Sequence, residues 1–163
     1  MNIFYLDHDH TTCAKYHNDK HCVKMILEYA QLLCTAHREL DGENCMHPDV
    51  LYKATHKNHP SAVWTRQSSR NYIWLYYLWR ELCKEYTYRY GKEHASWTKL
   101  GYLMASVPQN IDIMPEFTPP TPAMPDECKI GPTSLESYRH YYITEKKHLA
   151  NWKKRPVPEW YGV

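Results

Sequence analysis

Apolar residues along the chain recur at helical spacing, not in strict alternation, and four segments carry that period. The first spans about Cys13 to Leu40, with Thr11 or Thr12 as its cap and Asp41-Gly42-Glu43-Asn44 as its stop. The second opens at Asn58-His59-Pro60, with Pro60 in the first turn, and runs to Tyr90 before Gly91. A shorter helix fits about Glu93–Ala105. The last starts at a capping box, Thr133 followed by Glu136, and extends to about Lys154. Asn2–Leu6 reads as a short strand or extended arm. Residues 108–125 hold six of the eleven prolines and form an extended connector. The expected fold is therefore mainly α. It is one domain over residues 1–163, with three to four helices, a short N-terminal extended segment, the proline-rich connector and an aromatic tail at 155–163.

The first helix carries an unusual pattern. Placed at 100° per residue, His17, His21, Lys24, Glu28, Gln31 and Thr35 fall within about 80° of arc. Met25, Tyr29 and Leu32 flank this file on one side; Val23, Leu27 and Cys34 flank it on the other. A surface helix normally shows an apolar stripe on a polar cylinder; here a polar seam lies on an apolar one. Such a seam faces a cleft, a buried ion-pair network or solvent, and the cleft reading makes His17, His21, Lys24 and Glu28 the candidate catalytic set. Glu28 can serve as base or electrostatic stabiliser, and His17 and His21 can move protons near neutral pH. The same two histidines, one turn apart, admit zinc with a distant third ligand, although Lys24 beside them opposes a cation. No cofactor or metal is otherwise expected.

Composition narrows the classes. Five glycines in 163 residues, and no glycine-rich loop, disfavour a glycine-cradled nucleotide site. Six scattered cysteines without a C-x-x-C pair read as reduced thiols acting as small hydrophobes. The apolar start Ile3–Leu6 stops at Asp7, short of a signal-sequence core, and no run reaches membrane length. A cytoplasmic location with no membrane partner is expected. Fifteen tyrosines and six tryptophans against two phenylalanines suit either a polar-tipped core or a surface gripping something flat.

Net charge is +2, but it is unevenly spread. Residues 1–50 carry 4 basic and 8 acidic side chains (−4), residues 51–110 carry 9 and 3 (+6), and residues 111–163 carry 7 and 7. The middle block, with aromatic residues interleaved, has the footprint of a modest nucleic-acid face. Within it His56, Lys57, Asn58 and His59 precede a helix start suited to anions, and Arg66 and Arg70, four apart, share a face suited to phosphates. DNA is the expected partner. Trp64 and Trp74 suit a core as well as a stacking platform.

The run His56-Lys57-Asn58-His59-Pro60, followed by Asn71-Tyr72, Glu85-Tyr86 and Arg89-Tyr90-Gly91, resembles the pyrimidine-dimer DNA glycosylases, the phage and bacterial repair enzymes called phage-type endonuclease V. Arg155-Pro156 and Trp160-Tyr161-Gly162 are similar to that family's aromatic tail. The opening Met1–Asp7, with His17, Asp19, Lys20 and His21, also looks like that of uncharacterised small phage proteins. About a third of the chain is covered. The resemblance implies a mainly helical enzyme that extrudes a nucleotide and cleaves its N-glycosidic bond. The N-terminal α-amine would be the nucleophile, a glutamate on the first long helix would assist, and the Schiff base would also permit strand cleavage.

Two departures bear on the chemistry. The family nucleophile is a small residue exposed by methionine removal, whereas Asn2 follows Met1 here, so the free amine is expected on Met1. Near the place of the family glutamate stand His21 and Lys24, with Glu28 a turn further on. The nucleophile is therefore the Met1 amine, Lys24 or an activated water. Two other readings remain: a metal-dependent enzyme acting on nucleic acid or nucleobases, and a non-catalytic binder of nucleic acid or of a host factor.

Overall fold

The computed structural model describes residues 1–162, so the last residue of the aromatic tail, Val163, lies outside the described residues. Six α-helices appear in order: α1 His10–Tyr16, α2 Asp19–Asp41, α3 Pro60–Gln67, α4 Ser69–Tyr90, α5 Ala95–Leu100 and α6 Ser134–Ile143. No strand occurs among the described residues, and no helix there is long and apolar enough to cross a membrane. The chain is mainly helical, as its periodicity predicts.

Six helices arise from four predicted segments because two of them break. The first breaks at His17–Asn18, where both residues adopt extended backbone. Asp9, not Thr11 or Thr12, caps α1 by accepting from the Thr12 N–H. The Asn18 side chain caps α2 by accepting from the His21 N–H at 2.9 Å. The second breaks at Ser68, whose extended backbone frees its hydroxyl to cap α4 at the Asn71 N–H. The Ser69 N–H that this leaves without a helical partner donates to the Asp112 carbonyl at 2.8 Å. The helix predicted at 93–105 shortens to α5 and a 3-10 turn at Leu103–Ala105, and α6 stops at Ile143 instead of Lys154. The capping box of Thr133 and Glu136 forms as read.

Helix α4 runs through one continuous core, packed against α1, α2 and α3. The N-terminal segment also enters that core: Ile3 and Leu6 are fully buried. It carries no regular secondary structure, and side chains satisfy its backbone groups in place of a neighbouring strand. The Phe4 N–H donates to the Tyr29 hydroxyl (3.0 Å), the Cys13 thiol donates to the Phe4 carbonyl, and Arg139 Nε donates to the Leu6 carbonyl at 2.8 Å. The proline-rich connector is likewise pinned. Trp64 Nε1 donates to the Thr118 carbonyl, the Asn71 side chain accepts from the Thr118 N–H, and the Tyr138 hydroxyl donates to the Thr121 carbonyl. All six cysteines are buried and unpaired, and burial pushes the Cys13 and Cys22 thiols up to about 12.

A buried ion network closes the end of the molecule where α1 gives way to α2. Arg89, fully enclosed, donates to Glu85 (2.8 Å), Asp19 (3.0 Å) and the Lys15 carbonyl (2.9 Å). Arg155 reaches both Glu85 oxygens at 2.9 Å and lies over the Tyr88 ring. The family-like residues Glu85, Arg89 and Arg155 thus tie α4 to the α1–α2 junction and the tail. Burial works to raise the Glu85 carboxyl, but hydrogen bonds from Arg155 and Arg89 outweigh it and hold the group below its ordinary range. Because the folded value is the lower one, this contribution is full above about pH 4.3 and is lost as pH falls below it. Replacing Arg89 by Met leaves Glu85 and Asp19 with less compensation and should cost about 3–5 kcal/mol in urea unfolding; a loss under about 1 kcal/mol would show the network to be dispensable.

Candidate functional site

The polar file read on the first helix divides along its length. His17 lies in the break, and His21 and Thr35 are buried, while Lys20, Val23, Lys24 and Leu27 face solvent and Glu28 sits at the boundary. The solvent face of α2 is rotated relative to the polar seam, because Val23 and Leu27 on one flank are exposed and the N-terminal segment covers the other.

His17 and His21 are closed into hydrogen-bonded pairs with tyrosines. The Tyr29 oxygen accepts from Phe4 N–H, so its proton goes to His17 Nε2 (2.8 Å), and His17 Nδ1 donates to the Cys13 carbonyl. Both nitrogens of a neutral imidazole are thereby used. The Tyr142 oxygen accepts from Asn18 N–H and its hydroxyl donates to His21 Nδ1 at 2.6 Å, while Phe4 stacks on the His21 ring at 4.0 Å. Burial lowers His17 to about 4. Burial, with His17, Lys146 and Lys24 nearby, lowers His21 to about 2. These two rings hold the core and stay neutral. The zinc reading meets the same geometry: His17 has no free nitrogen, and no set of three His, Cys, Asp or Glu side chains converges among the described residues.

Lys24 and Glu28 come together with a third group that no helical wheel shows. The Met1 α-amine lies 3.4 Å from Glu28 Oε1, and Lys24 Nζ lies 3.7 Å from Oε2. The carboxylate is thus flanked by two amines. The side chains of the two residues differ in exposure: that of Met1 is 6 % exposed and that of Lys24 is 61 % exposed. Asn2, next along, has its side-chain oxygen enclosed and without a partner.

His59 faces the same group of charges. It caps α3 by accepting from the Ser61 N–H at Nδ1 (3.0 Å), which puts the proton of the neutral ring on Nε2. Burial lowers its affinity for a proton, the Met1 amine and His56 lower it further, and Glu28 opposes them. His56 is exposed, with positive φ, and bonds the Thr55 hydroxyl; Lys57 and Asn58 are also exposed, with Lys57 Nζ 4.0 Å from Glu39. Arg66 and Arg70 do not share a helical face. The break at Ser68 puts them on different helices, which corrects the expectation of a single phosphate-facing pair. Trp64 and Trp74 are core residues whose indole N–H groups donate to the Thr118 and His8 carbonyls.

Met1 is the residue that periodicity passed over; only the family resemblance directed attention to it. Searches against protein-family models, curated proteins and solved structures find no match for this chain.

The paired histidines set the acid response of the fold. Their folded values lie below the ordinary 6.5, so the unfolded chain takes up protons first. Stability is therefore full above about pH 6.5 and falls as pH drops, by about 1.4 kcal/mol per pH unit for each histidine kept neutral, with the His17 share levelling off near pH 4. Urea unfolding from pH 7 to pH 4 should show this slope, and His17→Gln should flatten it by one proton. An unchanged slope in that variant would mean that His17 is already protonated in the folded state.

Proposed function

We propose that the chain is a DNA-acting enzyme of glycosylase type, which removes a damaged or modified pyrimidine through an amine nucleophile held at Glu28. The observation that carries this reading is the ion pair between the Met1 amine and Glu28, with Lys24 on the second oxygen. It places an α-amine beside a glutamate of the first long helix, the two groups that the resemblance to pyrimidine-dimer glycosylases implies. The Met1 α-amine, the group that the resemblance implies, is the nucleophile; Lys24 supports the charge of Glu28 from the solvent side.

The chemistry follows from these groups. The amine gives up a proton to Glu28, and its nitrogen bonds to C1′ of the deoxyribose. The C1′–N bond to the base breaks, its electron pair leaves with the base, and the base takes up a proton. The C1′–O4′ bond then breaks, a proton passes from the nitrogen to O4′, and an iminium is left on the enzyme; β-elimination of the 3′ phosphate can follow, and water hydrolyses the C1′–N bond to free the amine. His59, whose neutral ring carries its proton on Nε2, is the candidate to donate to the departing base. The exposed His56, Lys57 and Asn58 lie on the same loop as His59 and offer a phosphate contact beside the amine.

Borohydride trapping on duplex DNA carrying damaged or modified pyrimidines tests the reading, with peptide mapping of the adduct. An adduct on Met1 is expected. Glu28→Gln should lower its yield about 10²-fold or more, and Lys24→Arg should leave its position unchanged. An adduct on Lys24 would reassign the nucleophile, and neither adduct nor base release on any such DNA would overturn the enzyme reading. For the grip, Lys57→Ala should weaken binding about equally across sequences and reduce the salt slope by about 1. An unchanged slope would remove Lys57 from the interface.

A further inference from the structure

On the face formed by the start of α1, the first turns of α4 and the proline-rich connector lies a pocket of about 220 Å³. It shares no residue with the Met1–Glu28 pair. Its walls are flat rings. Trp74 forms the base, with Phe117 at 5.4 Å and His10 at 5.2 Å between ring centres; His10 in turn lies 5.4 Å from Tyr77, and His8 lies 5.2 Å from Phe117. Arg70 stands exposed on the rim.

Three features describe what fits. The volume is below the ~300–1,000 Å³ of sites for drug-sized ligands, so one small ring system fills it. The rings present π-faces, on which a flat heteroaromatic ring stacks. The polar group available is of a definite kind: the exposed Arg70 guanidinium, which has no ion pair among the described residues. An aromatic box can also hold a cation, but the charges argue against one here. Asp9 is committed to the cap of α1, and Glu81 to Lys84, Arg80 and Thr11, whereas the cation Arg70 is uncommitted. Burial lowers the basicity of His10, with Asp9 and Glu81 opposing and His8 and Arg80 reinforcing that effect, so its ring serves as an apolar wall.

We propose that this pocket binds a single nucleotide unit, with the base stacked among Tyr77, Phe117 and His10 and the phosphate on Arg70. The guanidinium takes a phosphate oxygen pair. The unit is either a free nucleoside monophosphate or an unpaired nucleotide of a strand. The site stands whether or not the Met1–Glu28 pair is catalytic.

Titration calorimetry with thymidine 5′-monophosphate, thymidine, inorganic phosphate, tetramethylammonium and a single-stranded oligothymidylate tests it on the full chain. The monophosphate should bind about ten-fold or more tighter than thymidine or phosphate alone. Arg70→Ala should reduce its affinity to that of thymidine, and Tyr77→Ala should weaken both by about ten-fold. Thermal unfolding checks that the variants fold: exposed Arg70→Ala should leave it unchanged, and Tyr77→Ala, which also gives up contacts with His10 and Arg80, should keep one cooperative transition at a modestly lower temperature. Tighter binding of the oligonucleotide, lost in the same variants, assigns the site to a strand; equal binding assigns it to the free nucleotide. No binding of any nucleotide at millimolar concentration, binding indifferent to both variants, or a preference for tetramethylammonium would overturn the proposal.

Discussion

The Tyr29 hydroxyl is the contact on which the arrangement at the N-terminus depends. It accepts the Phe4 N–H and passes its own proton to His17, whose other nitrogen donates to the Cys13 carbonyl. One hydroxyl therefore joins the N-terminal segment, the end of α1 and the middle of α2. An extended segment buried without a neighbouring strand leaves its backbone groups to be satisfied one by one, and an orphan there costs about 1–3 kcal/mol. Tyr29 answers one of them, the Phe4 N–H. Glu28 precedes it on the same helix, so the contact that anchors Phe4 also sets the distance from Met1 to Glu28.

The same physics accounts for the composition. Three buried histidines are each paired with a buried tyrosine: His17 with Tyr29, His21 with Tyr142 and His37 with Tyr72. Indoles meet main-chain carbonyls in the same way, as Trp79 does with Ile26 and Trp152 with Tyr16. A phenylalanine core would bury as much ring area but would leave broken-helix and connector backbone groups unsatisfied. The polar tips permit a core crossed by irregular segments, which explains how a chain with so few glycines and so many prolines packs at all.

What was legible in the residues follows from this. The capping box at Thr133, the stop at Gly91 and the absence of helix over 108–125 depend on local chemistry and could be read directly. The breaks at Asn18 and Ser68 could not, because no proline or glycine marks them and the apolar period continues across both. Their cause is tertiary: Tyr142 accepts from Asn18 N–H, and the Asp112 carbonyl accepts from Ser69 N–H. Of the candidate site, Lys24 and Glu28 were found from spacing and do meet. His17 and His21 share that spacing but belong to the core, since a wheel reports angle and not depth. The side of α2 covered by the N-terminal segment is invisible in a pattern that treats each helix alone.

An amine at a chain end is ordinarily the least ordered group of a protein. Here the four residues Ile3–Leu6 are buried, Ile3 and Leu6 wholly so, and the Met1 side chain itself is nearly enclosed. Holding a free terminus against a carboxylate would cost roughly 1–2 kcal/mol for each residue ordered. In this fold that ordering is completed by the burial of Ile3 and Leu6 and by the hydrogen bonds of Phe4, before any ligand arrives. The geometry of the Met1–Glu28 pair is thus a product of folding, and a reactant entering there would meet an amine already positioned. Lys24, solvated and on a flexible stem, has no such preparation. A fixed backbone, more than nearness to Glu28, distinguishes the two amines.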